Sequence, residues 1–182
     1  MIRAGLLLVL LPFSISLTAQ KSEEKVEWDS ERPLVWSDFK ATPVDSLSYS
    51  ANTNSGLSFN WNYSTAGGKP DLKFEVFTYF YPLLSWVKKD SNNSAYLLAH
   101  EQLHFDISEL HVRILRKALY NYEIGRTIRR DLKSIYNRIE SEREAMQNKF
   151  DRESSHGENR NAQQLWRNKI SHELELLREY QD

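Results

Sequence analysis

From Tyr96 to Ala118 the apolar residues return every three or four positions, the period of a helix with one buried face. Tyr96, Leu103, Ile107, Leu110 and Ile114 fall to one side of position 100, and Leu97 and Leu115 to the other. Gln102, Asp106, Glu109, Arg113, Arg116 and Lys117 occupy the opposite half, which the pattern predicts to face solvent. Capping residues at 92–94 predict where this helix begins, and Gly125 marks its latest end. A second helix is expected after Thr127, with Ile128, Leu132, Ile135, Ile139 and Met146 at helical spacing. Ser154-Ser155-His156-Gly157 interrupts the pattern. A third helix from Asn159 carries Ala162, Trp166, Ile170, Leu174 and Leu177 on one face.

The first half is patterned differently. Lys21 to Glu27 reads as a polar lead, and Arg32 to Phe39 mixes large aromatics with Pro33, as a packed edge segment does. Ser48 to Ser64 alternates and is rich in aromatic residues, Thr and Asn, predicting one or two strands with Asn54-Ser55-Gly56 as a turn. Gly67-Gly68 and Pro70 predict a turn before a strand from Leu72 to Tyr81, with Phe74, Val76, Thr78 and Phe80 on one side and Pro82 ending it. This order predicts an α+β fold: a small antiparallel strand-rich part packed on a long helix and a C-terminal helical hairpin.

Bulk composition narrows the setting. Arg3, the apolar run Gly5 to Phe13 and the small residues up to Ala19 predict a secretory signal over 1–19, with an uncleaved anchor as the alternative. The remainder, 20–182, is expected to be one domain, strand-rich over 26–82 and helical over 92–182. No later stretch is apolar enough to span a membrane. With no cysteine there is neither a lipid-attachment site nor a disulfide framework, so a periplasmic or secreted protein that is not a lipoprotein is expected. The 24 basic and 25 acidic residues are interspersed, which predicts no nucleic-acid or anionic-membrane partner.

The first helix carries the candidate chemistry, His100-Glu101-Gln102-Leu103-His104, in the order H-E-x-x-H. At helical pitch the two histidines differ by about 40° around the axis and about 6 Å along it, so both can reach one metal ion. Glu101 lies on the neighbouring flank, within reach of a water at that ion. Two hydrogen-bonded core histidines would be the bland reading, but a buried Glu101 would then lack a partner. Asp106 and Glu109 point away from the ligand face, and Glu109 lies four residues before Arg113 as an ordinary helical ion pair. His111 shares the face but sits about 10.5 Å further along the axis, too far for the same ion, and is expected to pack or to assist.

The string His100-Glu101-Gln102-Leu103-His104-Phe105-Asp106-Ile107, followed by Glu109, resembles the signature of bacterial exported proteins grouped as domain-of-unknown-function family 922. Arg32, Leu34, Trp36, Asp38 and Phe39 resemble its entry segment, and Ser85-Trp86-Val87 its S-W-V segment. Asp151, Glu153, His156 and Gly157, with Gln164 and Trp166 beyond, resemble a further stretch in which Phe150 and Ser154 replace tyrosine and threonine. Members are described as predicted zinc-dependent proteases, so the resemblance implies a zinc site and proteolysis. It also includes Asp106 and Glu109, for which helical phase supplies only a solvent-facing role.

The expected activity is that of a zinc metallopeptidase acting on a peptide or protein substrate. His100 and His104 would hold Zn²⁺, and Glu101 would act as the general base that later protonates the leaving amine. A zinc amide hydrolase acting on cell-wall peptides is the alternative within enzymes; a non-catalytic exported module pinned by zinc is the alternative outside them. The strand over 72–81 is expected to lie along the cleft and to pair with an extended substrate. Two ligands rarely suffice, and none remains on the motif helix. The third ligand is expected to be His156, in the loop between the last two helices, with Asp151 or Glu153 as alternates. His172, mid-helix, is expected to pack or assist.

Overall fold

A computed structural model describes residues 24–92 and 94–181; the expected signal over 1–19 lies outside them. Helix α1, Ala95–Tyr120, is the axis of the fold. It starts where Ser94 Oγ accepts from the Leu97 amide at 3.1 Å, satisfying one of the orphan donors of the first turn. Helix α2, Ile128–Ser154, and helix α3, Arg160–Leu176, return along it as the expected hairpin. Asn159 caps α3 through the Ala162 amide at 3.1 Å.

On the other side lies a three-stranded antiparallel sheet of order β1-β4-β3, formed by β1 (Val26–Glu27), β3 (Ser55–Ser64) and β4 (Asp71–Phe80). The alternation of β4 turns Val76, Thr78 and Phe80 inward. Two differences from the sequence-based expectation are local. Val26–Glu27 pairs with Phe80 and Tyr79 instead of trailing as a polar lead. Ser55 and Gly56 already belong to β3, because the chain bends one step earlier: Asn54 is held between the Tyr81 amide and Ser85 Oγ, each at 2.9 Å.

A separate two-residue pair joins β2 (Ala51–Asn52) to β5 (Trp86–Val87). The segment 32–39 is irregular around a 3-10 turn at Trp36–Asp38, and it buries Leu34 and Phe39 against Phe80 and Phe105. Arg32 and the Val35 amide both donate to the Asp38 carboxylate, at 2.9 and 3.0 Å, which closes this turn.

One expectation about α1 is overturned. Its predicted solvent half is largely buried, because the sheet covers one side of the helix while α2, α3 and the C-terminal turn cover the rest. Glu109 and Arg113 are 3% and 2% exposed. Glu109 accepts from Thr78 Oγ1 at 2.7 Å and from Arg113 Nε at 2.8 Å, so the expected surface pair is a buried one that ties α1 to β4. Arg113 also donates to Leu174 O and Gln181 Oε1, each at 2.8 Å, and Arg116 to Tyr180 O at 2.9 Å. Asp106 accepts from Trp28 Nε1 at 2.9 Å and from Gln102 Nε2 at 2.8 Å, and Gln102 Oε1 accepts from the Leu34 amide at 2.7 Å. These polar groups are buried because each is paired. They fasten the N-terminal segment and the sheet to the helix that carries the motif.

Candidate metal centre

The last turn of α2 brings Asp151 against the motif face of α1. Asp151 Oδ1 stands 3.3 Å from His100 Nε2 and 3.0 Å from His104 Nε2, and the two imidazole nitrogens are 3.3 Å apart. Donor atoms sharing one ion at about 2.1 Å in tetrahedral geometry would lie about 3.4 Å apart, close to what these three adopt. Among the described residues these are the His, Asp and Glu side chains grouped closely enough to hold a metal ion together.

Phe150, fully buried, forms the apolar wall behind them, with its ring 4.5 Å from that of His100 and 4.9 Å from that of His104. Burial alone would raise the Asp151 pKa, but hydrogen bonding to His100 and His104 holds its carboxyl well below the usual carboxylate range. For His104 burial opposes the charged ring, yet the Asp151 carboxylate outweighs it and the pKa is raised. Both directions express the same attraction between the Asp151 carboxylate and the imidazoles.

Glu101 lies beside the group, 3% exposed, and its Oε2 has no hydrogen-bond partner. Its carbonyl accepts from Thr53 Oγ1 at 3.2 Å, which pins the neighbouring rim. His100 Nδ1 is also buried without a partner.

The expected third ligand, His156, is outside the group. It is half exposed, its Nδ1 lies 3.4 Å from Asp151 Oδ1, and its ring stacks on Tyr49 at 5.3 Å. Ser155, His156 and Gly157 take three consecutive left-handed conformations, at φ 51°, 51° and 88°; Gly157 lies against the His100 ring, while His156 lines the wall of the same cleft against Tyr49. Of the two alternates, the structure gathers Asp151. Glu153 instead accepts from Trp166 Nε1 at 2.9 Å. His111 is buried and its Nδ1 donates to Ile107 O at 2.7 Å, a packing arrangement. His172 is exposed on α3 and takes no part in the group.

A cleft of about 300 Å³ opens over the group, lined on one side by the segment from Tyr49 to Ser55 and on the other by Glu101, Arg143 and Gln147. The strand expected along it, β4, contributes no lining residue. It lies in the middle of the sheet, with β3 along its whole length on one side and β1 at the end of the other. The rim is instead β2 and its flanks, which β5 positions. Ser85 Oγ donates to Tyr81 O at 2.9 Å, and the buried Trp86 stacks on Tyr49 at 5.5 Å. The S-W-V segment thus shapes the cleft from behind. Gln147 and Arg143 carry no signal of their own in the sequence. Gln147 stands four residues before Asp151 on α2, a spacing that puts both on one helix face and could have drawn attention to it.

No curated protein and no solved structure matches the chain. The profile of a family described as bacterial protein of unknown function (DUF922) matches residues 38–157. That span runs from the Asp38 turn to Gly157 and contains every residue that lines the cleft. No helix among the described residues is long and apolar enough to cross a membrane. Matched over most of its length, and with the metal-competent group inside the matched span, the chain belongs to this bacterial family of unknown function, DUF922.

Proposed function

We propose that this protein is an exported zinc-dependent hydrolase that cleaves peptide bonds, with His100, His104 and Asp151 holding the metal. The observation that carries this reading is the convergence of three donor atoms within 3.0–3.3 Å of one another, beside a buried carboxylate oxygen with no partner.

The fit can be tested on protons. Gln147 Oε1 faces His104 Nδ1 at 2.5 Å and can only accept, so Nδ1 carries the hydrogen. In the neutral ring, Nε2 then turns a lone pair toward the Asp151 carboxylate 3.0 Å away. Two lone pairs at that distance repel unless a cation, either a second ring proton or a metal ion, lies between them. Two imidazoles and one carboxylate suit zinc, and three protein donors beside an open cleft match a catalytic site better than a closed structural one.

When bound there, zinc would supply Lewis acidity, polarising a carbonyl and acidifying a water molecule. The Glu101 carboxylate would accept a proton from the attacking water and give it to the leaving amine. A dication nearby also offsets the cost of burying Glu101 without a partner. The extended rim from Tyr49 to Ser55 is the edge along which a substrate backbone can lie. His156, beside Asp151 and open to solvent, supports the carboxylate from outside the ligand group.

Glu101→Gln tests the reading. The variant should retain zinc and fold while losing turnover of a broad peptide library. Unchanged turnover would remove Glu101 from the mechanism. Zinc binding without turnover by either protein would favour a metal-pinned module without catalysis, and turnover of cell-wall peptides alone would narrow the activity to an amide hydrolase.

A further inference from the structure

Gln147 makes three contacts around one imidazole. Its Oε1 lies 2.5 Å from His104 Nδ1, and its Nε2 donates to His104 O at 2.8 Å and to Ser108 Oγ at 3.3 Å. Ser108 is fully buried on α1, and its hydroxyl lies 2.8 Å from Ser55 Oγ at the cleft rim. The backbone carbonyl fixes the orientation of the carboxamide, because a flipped side chain would set oxygen against oxygen at 2.8 Å. Only the acceptor end can then face the ring.

We infer that Gln147 is a positioning residue for the metal centre: it holds His104 in the Nδ1–H tautomer, so that the Nε2 lone pair points at the position shared with His100 Nε2 and Asp151 Oδ1. This rests on the metal-centre reading above. The chemistry is that of a second partner which sets a ligating histidine's tautomer and ring angle, and loss of such a partner typically weakens metal affinity 10–100-fold. The usual partner is a carboxylate or a backbone carbonyl. A carboxamide does the same without adding charge, and its amide end locks its own orientation onto the helix that bears the ligand. Gln147 and Asp151 occupy successive turns of α2, so one helix face delivers both a ligand and the group that orients another.

The test compares wild type and Gln147→Leu by zinc competition titration and by NMR of the His104 ring in the zinc-loaded proteins. The zinc-loaded wild type should show a His104 Nδ1–H signal displaced by its hydrogen bond to Gln147, and Gln147→Leu should lose that displacement together with about 10–100-fold of zinc affinity. Thermal unfolding of the metal-free proteins separates misfolding from mispositioning. A His104 Nδ1–H signal unmoved by Gln147→Leu in the zinc-loaded proteins, or equal zinc affinity in wild type and Gln147→Leu, would overturn the assignment while leaving the ligand group standing. Absence of zinc binding by the wild type would overturn both.

Discussion

Glu109→Ala asks whether the far side of α1 is a solvated flank or part of the core. An exposed Glu–Arg pair four residues apart on a helix contributes about 0.3–0.5 kcal/mol. Glu109 and Arg113 are instead both buried, with Thr78 Oγ1 and Arg113 Nε donating to the one carboxylate and Arg116 NH1 3.9 Å away. Removing the carboxylate strips the acceptor from two buried donors and leaves buried guanidinium charge uncompensated, a loss of about 3–5 kcal/mol. Arg113 keeps Leu174 O and Gln181 Oε1 as acceptors, which favours the lower half of that range. In a chain of this size, a loss of about 3–4 kcal/mol corresponds to a fall in Tm of roughly 6–16 °C. Urea unfolding of Glu109→Ala, Arg113→Met and the double variant measures both the loss and the coupling. A loss below about 1 kcal/mol, or effects additive within about 0.5 kcal/mol, would refute the buried-network account.

The same packing yields two more expected outcomes. Gly157→Ala should cost about 1–3 kcal/mol and weaken zinc binding, because Gly157 sits at φ 88° and a Cβ there would meet His100 Cγ at 3.4 Å; unchanged stability and affinity would show that the turn tolerates a side chain. His111 is held below its ordinary pKa, chiefly by burial. The unfolded chain therefore takes up a proton near pH 6.5 that the folded chain still refuses, and the stability His111 contributes is present above about that pH and lost as pH falls below it. The wild type should lose stability relative to His111→Leu, by up to about 1.4 kcal/mol per pH unit, as pH drops from about 7.5 to about 5.5; a gap independent of pH would contradict this.

Periodicity carries the three helices, since each begins at a residue able to cap it (Ser94, Thr127 or Asn159) and buries a regular apolar face. It misplaces Asp106, Glu109, Arg113 and Arg116 because a hydrophobic stripe marks only the face buried against apolar neighbours. α1 is covered on most of its surface, and its polar half is largely buried by pairing, which leaves no trace in a hydropathy pattern. The motif residues His100, Glu101 and His104 are legible because their spacing is set within a single helix. Asp151 lies in the last turn of α2 and His156 in the connection that follows, and which of them meets the histidines depends on how α2 packs against α1, which no local pattern encodes. The cleft rim at 49–55 is held by pairing with Trp86–Val87 and by Ser85, contacts more than thirty residues away in sequence, so no local pattern encodes it.

The central claim, a metal centre made by His100, His104 and Asp151, is tested most directly by titrating zinc into the metal-free wild type, Asp151→Asn and His156→Ala. The account predicts one equivalent bound by the wild type, a loss of affinity beyond about 100-fold in Asp151→Asn, where a charged ligand rather than a positioning partner is removed, and nearly unchanged affinity in His156→Ala. Retention of zinc by Asp151→Asn with its loss from His156→Ala, or no zinc binding by the wild type at all, would contradict it.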